Sequence, residues 1–140
     1  MNCTKMLALA APLALAVTLA GSLRAEAADR FAVISIANET NANITVVYRW
    51  ADNPKNKKRH LFRAGTRTWF SHQYARPDEN RSPDFFLAFD ADSTGQTFQE
   101  EKRLHGFRAP DQTYELGHKY VFKYDGPSKR FIEIYDRDKR

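Results

Sequence analysis

The sequence has few of the residues that cross-link small exported domains or hold metal ions in them. Its single cysteine is Cys3, which lies ahead of the apolar part of an N-terminal leader and would be removed with it. We therefore expect a mature chain without disulfides and without cysteine metal ligands. An exported chain of this kind is more typical of bacteria than of eukaryotes.

Signatures of catalysis are also missing. The chain has no G-x-S-x-G nucleophile elbow and no glycine-rich phosphate loop. Its four histidines lack the paired spacing of a zinc site; they are His60, His72, His105 and His118. Ser71 precedes His72 directly, so on a strand the two side chains point to opposite faces and do not form a nucleophile and its base.

Only one long hydrophobic run occurs, and it lies at the N-terminus. Residues 1–27 have the pattern of a signal peptide, with Lys5 before the apolar run Met6–Ala20 and a small-x-small cleavage site at Ala25-Glu26-Ala27. The run is shorter than the roughly 20 residues of a membrane helix. We expect export to the periplasm or the cell exterior, a single domain over residues 28–140, and no integral membrane segment after cleavage.

The positive charge of the chain is modest. A net charge of +5 falls slightly when the leader is removed, and one dense basic cluster stands out, formed by Lys55, Lys57, Lys58 and Arg59. Such a cluster can meet an acidic glycan, an anionic lipid surface or nucleic acid, although a solvated loop is the commoner meaning. Because no aromatic RNA-binding pattern accompanies it, we expect no nucleic-acid partner.

Alternation of apolar and polar residues with period two predicts strands through most of the mature chain. Phe31–Asn38 and Ile44–Trp50 look like a hairpin, and Lys119–Asp125 with Arg130–Tyr135 predicts another around a Gly-Pro turn. His105–Thr113 has the composition of an irregular connection. The fold class predicted is all-β, a single antiparallel β-sandwich of about seven or eight strands, immunoglobulin-like or related, with a small barrel as the alternative.

The stretch from Asp84 to Glu101 is the most informative. Phe85–Phe89 is apolar on both faces, which predicts a strand in the middle of a core. Ser82-Pro83-Asp84 also resembles a helix start, but the turn residues that begin at Asp92 follow too soon for a typical helix.

The polar half of this stretch has the spacing of an EF-hand calcium loop. The matching positions are the first, third, fifth, sixth and twelfth, occupied by Asp90, Asp92, Thr94, Gly95 and Glu101. Thr94 is a weak ligand, and polar Thr97 stands where an apolar residue is usual. The simpler interpretation is a strand ending at Asp90, a turn through Gly95 and a return strand; calcium bound by Asp90, Asp92, Thr94 and Glu101 is the alternative.

Two further groups of residues, one of carboxylates and one of aromatic side chains, each suggest a ligand. Asp90, Asp92, Glu100 and Glu101 include enough carboxylates for glycosidase chemistry if two of them face each other across a cleft. Trp50, Trp69 and Tyr74 are candidates for a carbohydrate platform, since flat apolar rings suit sugar faces. Aromatic residues outnumber Val, Ile and Leu after the leader, so a core position is the more general expectation for each of them.

The order of these features resembles a loosely defined family of small exported bacterial proteins of uncharacterised function, in which a strand ending Phe-Asp precedes a Gly-containing turn. The likeness is carried by Ile44–Trp50, Ala64-Gly65, Phe89-Asp90 with Gly95, Tyr120-Val121-Phe122 and Phe131–Tyr135. It implies a small β-sandwich, and it favours a strand that spans Phe85–Asp90 rather than an EF-hand loop at Asp90. It brings no activity, ligand or catalytic residue.

These observations predict an exported binding or interaction module rather than an enzyme, with a surface, a glycan or a protein as its partner. A calcium-binding module that uses the Asp90–Glu101 loop is the alternative. A hydrolase with paired carboxylates comes third.

Overall fold

The computed structural model describes residues 28–76, 78–79, 81–94, 98 and 100–139. The predicted leader, and with it Gly95 and Thr97 of the EF-hand pattern, lies outside these residues. The described residues form nine strands and no helix: β1 (Phe31–Asn38), β2 (Ile44–Trp50), β3 (Lys58–Phe62), β4 (Arg67–Gln73), β5 (Phe85–Phe89), β6 (Lys102–Leu104), β7 (Phe107–Ala109), β8 (His118–Asp125) and β9 (Phe131–Asp136). Within this part of the chain, no helix has the length and apolar character that a membrane crossing requires.

The strands form two sheets packed on one another, which confirms the predicted all-β sandwich. The first sheet has the order β4-β1-β8-β9, with β7 beside one end of β1, and the second has the order β3-β2-β5-β6. One pairing departs from the antiparallel expectation, because β1 and β8 run parallel. β7 occupies only Phe31–Val33 of that side of β1, so Ile34–Asn38 are left to pair with β8.

The predicted hairpin of β1 and β2 is wrong, since the two strands lie in different sheets. Asn38, at the end of β1, explains why the chain crosses over there. Its buried amide nitrogen donates to the carbonyl oxygen of Ala42 at 2.8 Å and to that of Arg63 at 3.2 Å, and its Oδ1 accepts from Thr40 N and Oγ1. These bonds satisfy backbone carbonyl and N–H groups that the backbone pairing of a β-hairpin would otherwise satisfy.

The core lies between the two sheets and is built mainly from rings and branched side chains. On β5, Phe85, Leu87 and Phe89 are fully buried, as expected for a central strand. The other members of this core cluster with almost no exposure are Ile34, Ile36, Ile44, Val46, Phe62, Phe122 and Ile132. Burial of one such side chain contributes about 1.5–3 kcal/mol, so this layer is the main source of stability.

The outer face of β1 is covered by the connection between β7 and β8. Ser35 is fully buried there and donates from Oγ to the carbonyl oxygen of Tyr114 at 2.5 Å. Gly117 lies so close that an added Cβ would overlap Ser35 Oγ. β1 is therefore buried on both faces although it begins only three residues after the predicted cleavage site.

Two predicted hairpins are confirmed, and one predicted loop is wrong. β8 pairs with β9 from Tyr120–Asp136 to Asp125–Phe131, and β5 pairs with β6, with an isolated bridge from Asp90 to Phe98. The stretch predicted as an irregular connection contains β7. A strand of three residues is too short to show period two, so its pairing with β1 is decided by tertiary contacts.

Candidate functional site

An open cleft of about 340 Å³ lies where β2 of one sheet approaches β4 of the other. Aromatic rings form its floor, and polar side chains of the β2–β3 loop form its rim. We call it the aromatic cleft; its lining consists of Tyr48, Arg49, Trp50, Asp52, Asn53, Asn56, Lys58, Trp69, Phe70, Ser71 and His72.

The alternation of β2 and β4 places the rings of the floor. Tyr48 and Trp50 follow Ile44 and Val46 on the core-facing side of β2, and both pack against the core cluster. The Tyr48 ring lies 4.4 Å from Phe70 between centroids, and the Trp50 ring lies 4.9 Å from Phe85. Burial raises the pKa of the Tyr48 hydroxyl, so it remains a neutral hydrogen-bonding group.

Trp69 reaches the same cleft from the opposite face of β4. Because β4 is an edge strand, its outward side chains also border the gap between the sheets, and Trp69 keeps 46% of its surface exposed. Its neighbour Ser71 donates to Gln112 Oε1 at 2.6 Å. Trp69 pairs in register with Ser35 on the outer face of the first sheet and also borders a separate hollow beside Gln112 and Tyr114. It therefore presents a large apolar ring to solvent at the border of the aromatic cleft.

His72 and Asp52 join the two walls of the cleft. The Nδ1 of His72 lies 3.3 Å from Asp52 Oδ2, and the imidazole packs on the indole of Trp50 at 5.7 Å. Ser71 points away from His72 to Gln112, which confirms that these sequence neighbours lie on opposite faces. The pair thus fixes the β2–β3 loop against β4 and leaves part of Asp52 in solvent.

The β2–β3 loop holds its amide side chains at the rim through its own backbone. Asn53 N donates to Trp50 O at 3.0 Å, and Asn56 N donates to Asn53 O at 3.1 Å. Both side chains are exposed. An amide carries two donors and an acceptor oxygen, so the rim offers paired polar contacts next to the rings.

The structure separates the three aromatic residues that the sequence singled out. Trp50 and Trp69 line the aromatic cleft, whereas Tyr74 is buried under Arg108, with the guanidinium 4.6 Å from the ring centroid, and hydrogen-bonds Ser82. Sequence reasoning missed Asp52 as a site residue. The turn-forming run that starts with it, two residues after Trp50, was the available signal.

The proposed calcium ligands lie elsewhere, between β5 and β6. Asp90 is buried and its backbone N–H donates to Thr45 O, while Asp92 Oδ1 accepts from Thr94 N and Oγ1. Both carboxylate oxygens of Glu101 accept from the Arg49 guanidinium, at 3.1 and 3.0 Å.

These hydrogen bonds from Arg49 lower the pKa of Glu101. Strands flank the loop on both sides, where an EF-hand has helices. Gly95 is outside the described residues, so calcium binding there stays a prediction.

A second hollow, of about 490 Å³, lies at the other open side of the sandwich between β6 and β9. In it, His118 stacks between Phe107 and Tyr120, and its Nε2 lies 2.8 Å from Asp136 Oδ1. Burial acts to raise the pKa of Asp136, but the His118 hydrogen bond and charge, with backbone N–H groups of the C-terminal turn, outweigh it and lower that pKa. Among the described residues, no group of three or more His, Cys, Asp or Glu is arranged to hold a metal ion.

Comparisons of this chain with protein-family models, with curated proteins and with solved structures found no match. The resemblance noted from the sequence stays a prediction. The functional argument therefore depends on the chemistry of the clefts.

Proposed function

We propose that this protein is an exported binding module that holds a carbohydrate in the aromatic cleft. The observation that carries the proposal is that Trp50 and Trp69, from strands of different sheets, border one open cleft. The signal peptide expected over residues 1–27 would deliver the domain to the periplasm or the cell exterior, where glycans are abundant.

The chemistry of the lining supports a sugar better than a purely apolar ligand. One face of a sugar ring presents C–H groups, which pack on an indole, and its edge presents hydroxyl groups, which need donors and acceptors. Asn53, Asn56 and Asp52 supply these polar groups beside the rings. The exposed lining of the cleft is more polar than apolar, which suits a ligand with many hydroxyl groups.

Binding is favoured over hydrolysis by the number of carboxylates. Glycoside hydrolysis ordinarily uses two, one as acid and one as base or nucleophile. Asp52 is the single carboxylate among the described residues that line the aromatic cleft, and it already lies against His72. Asp90, Asp92 and Glu101 do not belong to that lining.

The test is a glycan array followed by titration calorimetry with the purified protein. Changing Trp69→Ala should weaken binding at least tenfold, because truncating an exposed aromatic anchor commonly costs about 2 kcal/mol of binding free energy. Phe131→Ala is the matched control, since Phe131 is similarly exposed but lies on β9 at the opposite edge of the first sheet.

Trp50 also packs on the core, so its role in binding is tested with two substitutions, one that keeps an aromatic ring and one that removes it. Trp50→Phe should retain part of the affinity and Trp50→Ala should lose it, with circular dichroism to verify that each variant is folded. If no glycan binds, or if Trp69→Ala and Phe131→Ala behave alike, the proposal is wrong.

A further inference from the structure

We infer that the glycan recognised in the aromatic cleft is acidic, a polymer whose sugar rings carry repeated carboxylate or sulfate groups, and that Lys58 determines this preference. The inference rests on the proposed function, since it names the class of carbohydrate that the same cleft takes. It is carried by the balance of paired and unpaired charges around the cleft.

Lys58 lines the aromatic cleft from the edge of the second sheet. It pairs in register with Tyr48, so its side chain shares the face of Tyr48 and Trp50 and points toward the mouth of the cleft. Within the described part of the chain, no carboxylate lies within 4 Å of its ammonium group. It is an exposed cation whose charge is left for a ligand.

The other cation of the cleft already has an acidic partner. Arg49 is bound by both oxygens of Glu101, which lies outside the lining. Asp52, the one acidic side chain of the lining, lies 3.3 Å from His72 and keeps part of its surface in solvent. Against this single acid stand Lys58 and the nearby Lys55, so the balance of unpaired charge at the mouth of the cleft is positive and favours an anionic group.

Further cations without an ion pair in the described residues continue from Lys58. Lys55 precedes it in the loop, Arg59 follows it in the edge strand β3, and Arg63 comes directly after the end of that strand at Phe62. Arg59 and Arg63 alternate to the opposite face from Lys58, so they add positive charge along this edge of the sheet but do not belong to the lining of the aromatic cleft. Cations elsewhere are frequently paired, for example Arg67 with Glu115.

A charged edge beside an aromatic cleft matches a polymer with both properties. Sugar rings of an acidic polysaccharide would stack on Trp50 and Trp69, while its acidic groups would lie near Lys58. A bare polyanion would use only the charges, and a neutral glycan only the rings. The two contributions can be measured separately.

The experiment compares ligands that differ only in charge. Titrations of the purified protein use oligogalacturonate and hyaluronan oligosaccharides, each against its carboxyl methyl ester, with a heparin-derived oligosaccharide as the sulfated member. We expect at least one acidic oligosaccharide to bind tenfold or more tightly than its uncharged counterpart, desulfated in the case of heparin. Raising salt from 50 to 500 mM should remove most of this difference, because exposed charges are screened.

Two substitutions assign the preference to a residue. Lys58→Glu should reduce the affinity for the acidic oligosaccharide at least tenfold and leave the methyl ester unchanged, and Lys58→Arg should keep the preference. Lys129→Glu makes the same charge change in the exposed β8–β9 turn and should have no effect.

Three results would overturn the inference. If the neutral glycans of the array bind and the acidic ones bind no better, the carbohydrate proposal stands and the acidic preference falls. If linear polyphosphate binds as tightly and Trp69→Ala does not matter, the edge is only a polyanion surface for lipid or nucleic acid. If no saccharide of either kind binds, both proposals fall together.

Discussion

The imidazole of His72 packs on the indole of Trp50, with 5.7 Å between ring centroids, although the two residues belong to different sheets. The contact of His72 Nδ1 with Asp52 Oδ2, at 3.3 Å, adds a polar connection across the same gap. The gap between the sheets is therefore bridged at its base and open at its mouth. This arrangement gives the cleft its shape before any ligand binds, which reduces the entropy lost on binding.

Asp52 provides the first prediction. Changing Asp52→Asn should strengthen binding of acidic oligosaccharides about threefold. The Asp52 carboxylate and an acidic group of the ligand about 6 Å away would repel each other in water by about 0.7 kcal/mol. Binding of the methyl esters should stay the same. Asp78→Asn, a change of an exposed acid in the loop before β5, is the control. Calorimetry at low salt measures both, and equal effects of the two changes would contradict a local role of Asp52.

Gly117 should tolerate no side chain. An added Cβ would overlap Ser35 Oγ and lie 2.9 Å from Ser35 N, inside the central strand β1. We expect Gly117→Ala to lower the free energy of unfolding by about 3 kcal/mol, the upper part of the range for overpacking. Urea unfolding measures the change.

Gly65→Ala is the matched control for that measurement. Gly65 also has a turn position, with a φ of 71°, but open space where its Cβ would be, so only backbone strain of about 1–2 kcal/mol applies. If the two variants lose equal stability, the close packing of the β7–β8 connection on Ser35 is not important.

His60 should make stability depend on pH in a known direction. Its ring packs against Phe62 and Phe70, and burial lowers its pKa below the ordinary 6.5. The unfolded chain therefore binds the proton more readily than the folded chain. The stability contributed by neutral, buried His60 is present above pH 6.5 and is lost as the pH falls through the lowered pKa.

The melting temperature should consequently fall more steeply between pH 7.5 and 5.5 in the wild type than in His60→Gln, which does not titrate. Differential scanning calorimetry at several pH values compares the slopes. Identical slopes would mean that His60 is equally easy to protonate in the folded and unfolded chains.

Calcium provides the last prediction. Because both oxygens of Glu101 are engaged by Arg49, we expect the same melting temperature in EDTA and in millimolar calcium. Calcium at 100 times its dissociation constant would add about 2.7 kcal/mol, a rise on the order of 10 °C. Such a rise, if abolished by Asp90→Ala and Glu101→Ala, would establish the metal loop instead.

Local sequence patterns predicted the strands and turns whose own residues indicate their structure. Phe85–Phe89 was predicted as a central strand from its apolar residues on both faces, and it lies between β2 and β6. β8 and β9 were predicted as a hairpin from alternation around a turn that includes Gly126, whose φ is 79°. Asp52 and Lys58 were not predicted as parts of one site, because the cleft that they line is completed by β4, a strand of the other sheet.

The sequence by itself determined that the chain is made of strands, and which face of each strand is apolar, because side-chain alternation depends only on neighbouring residues. Tertiary structure alone decided the partner of each strand. The period of β1 and β2 is the same in a hairpin as in two separate sheets, and the buried amide of Asn38 directs the crossing. The aromatic cleft is a product of that crossing, since it places Trp50 and His72 on opposite sheets.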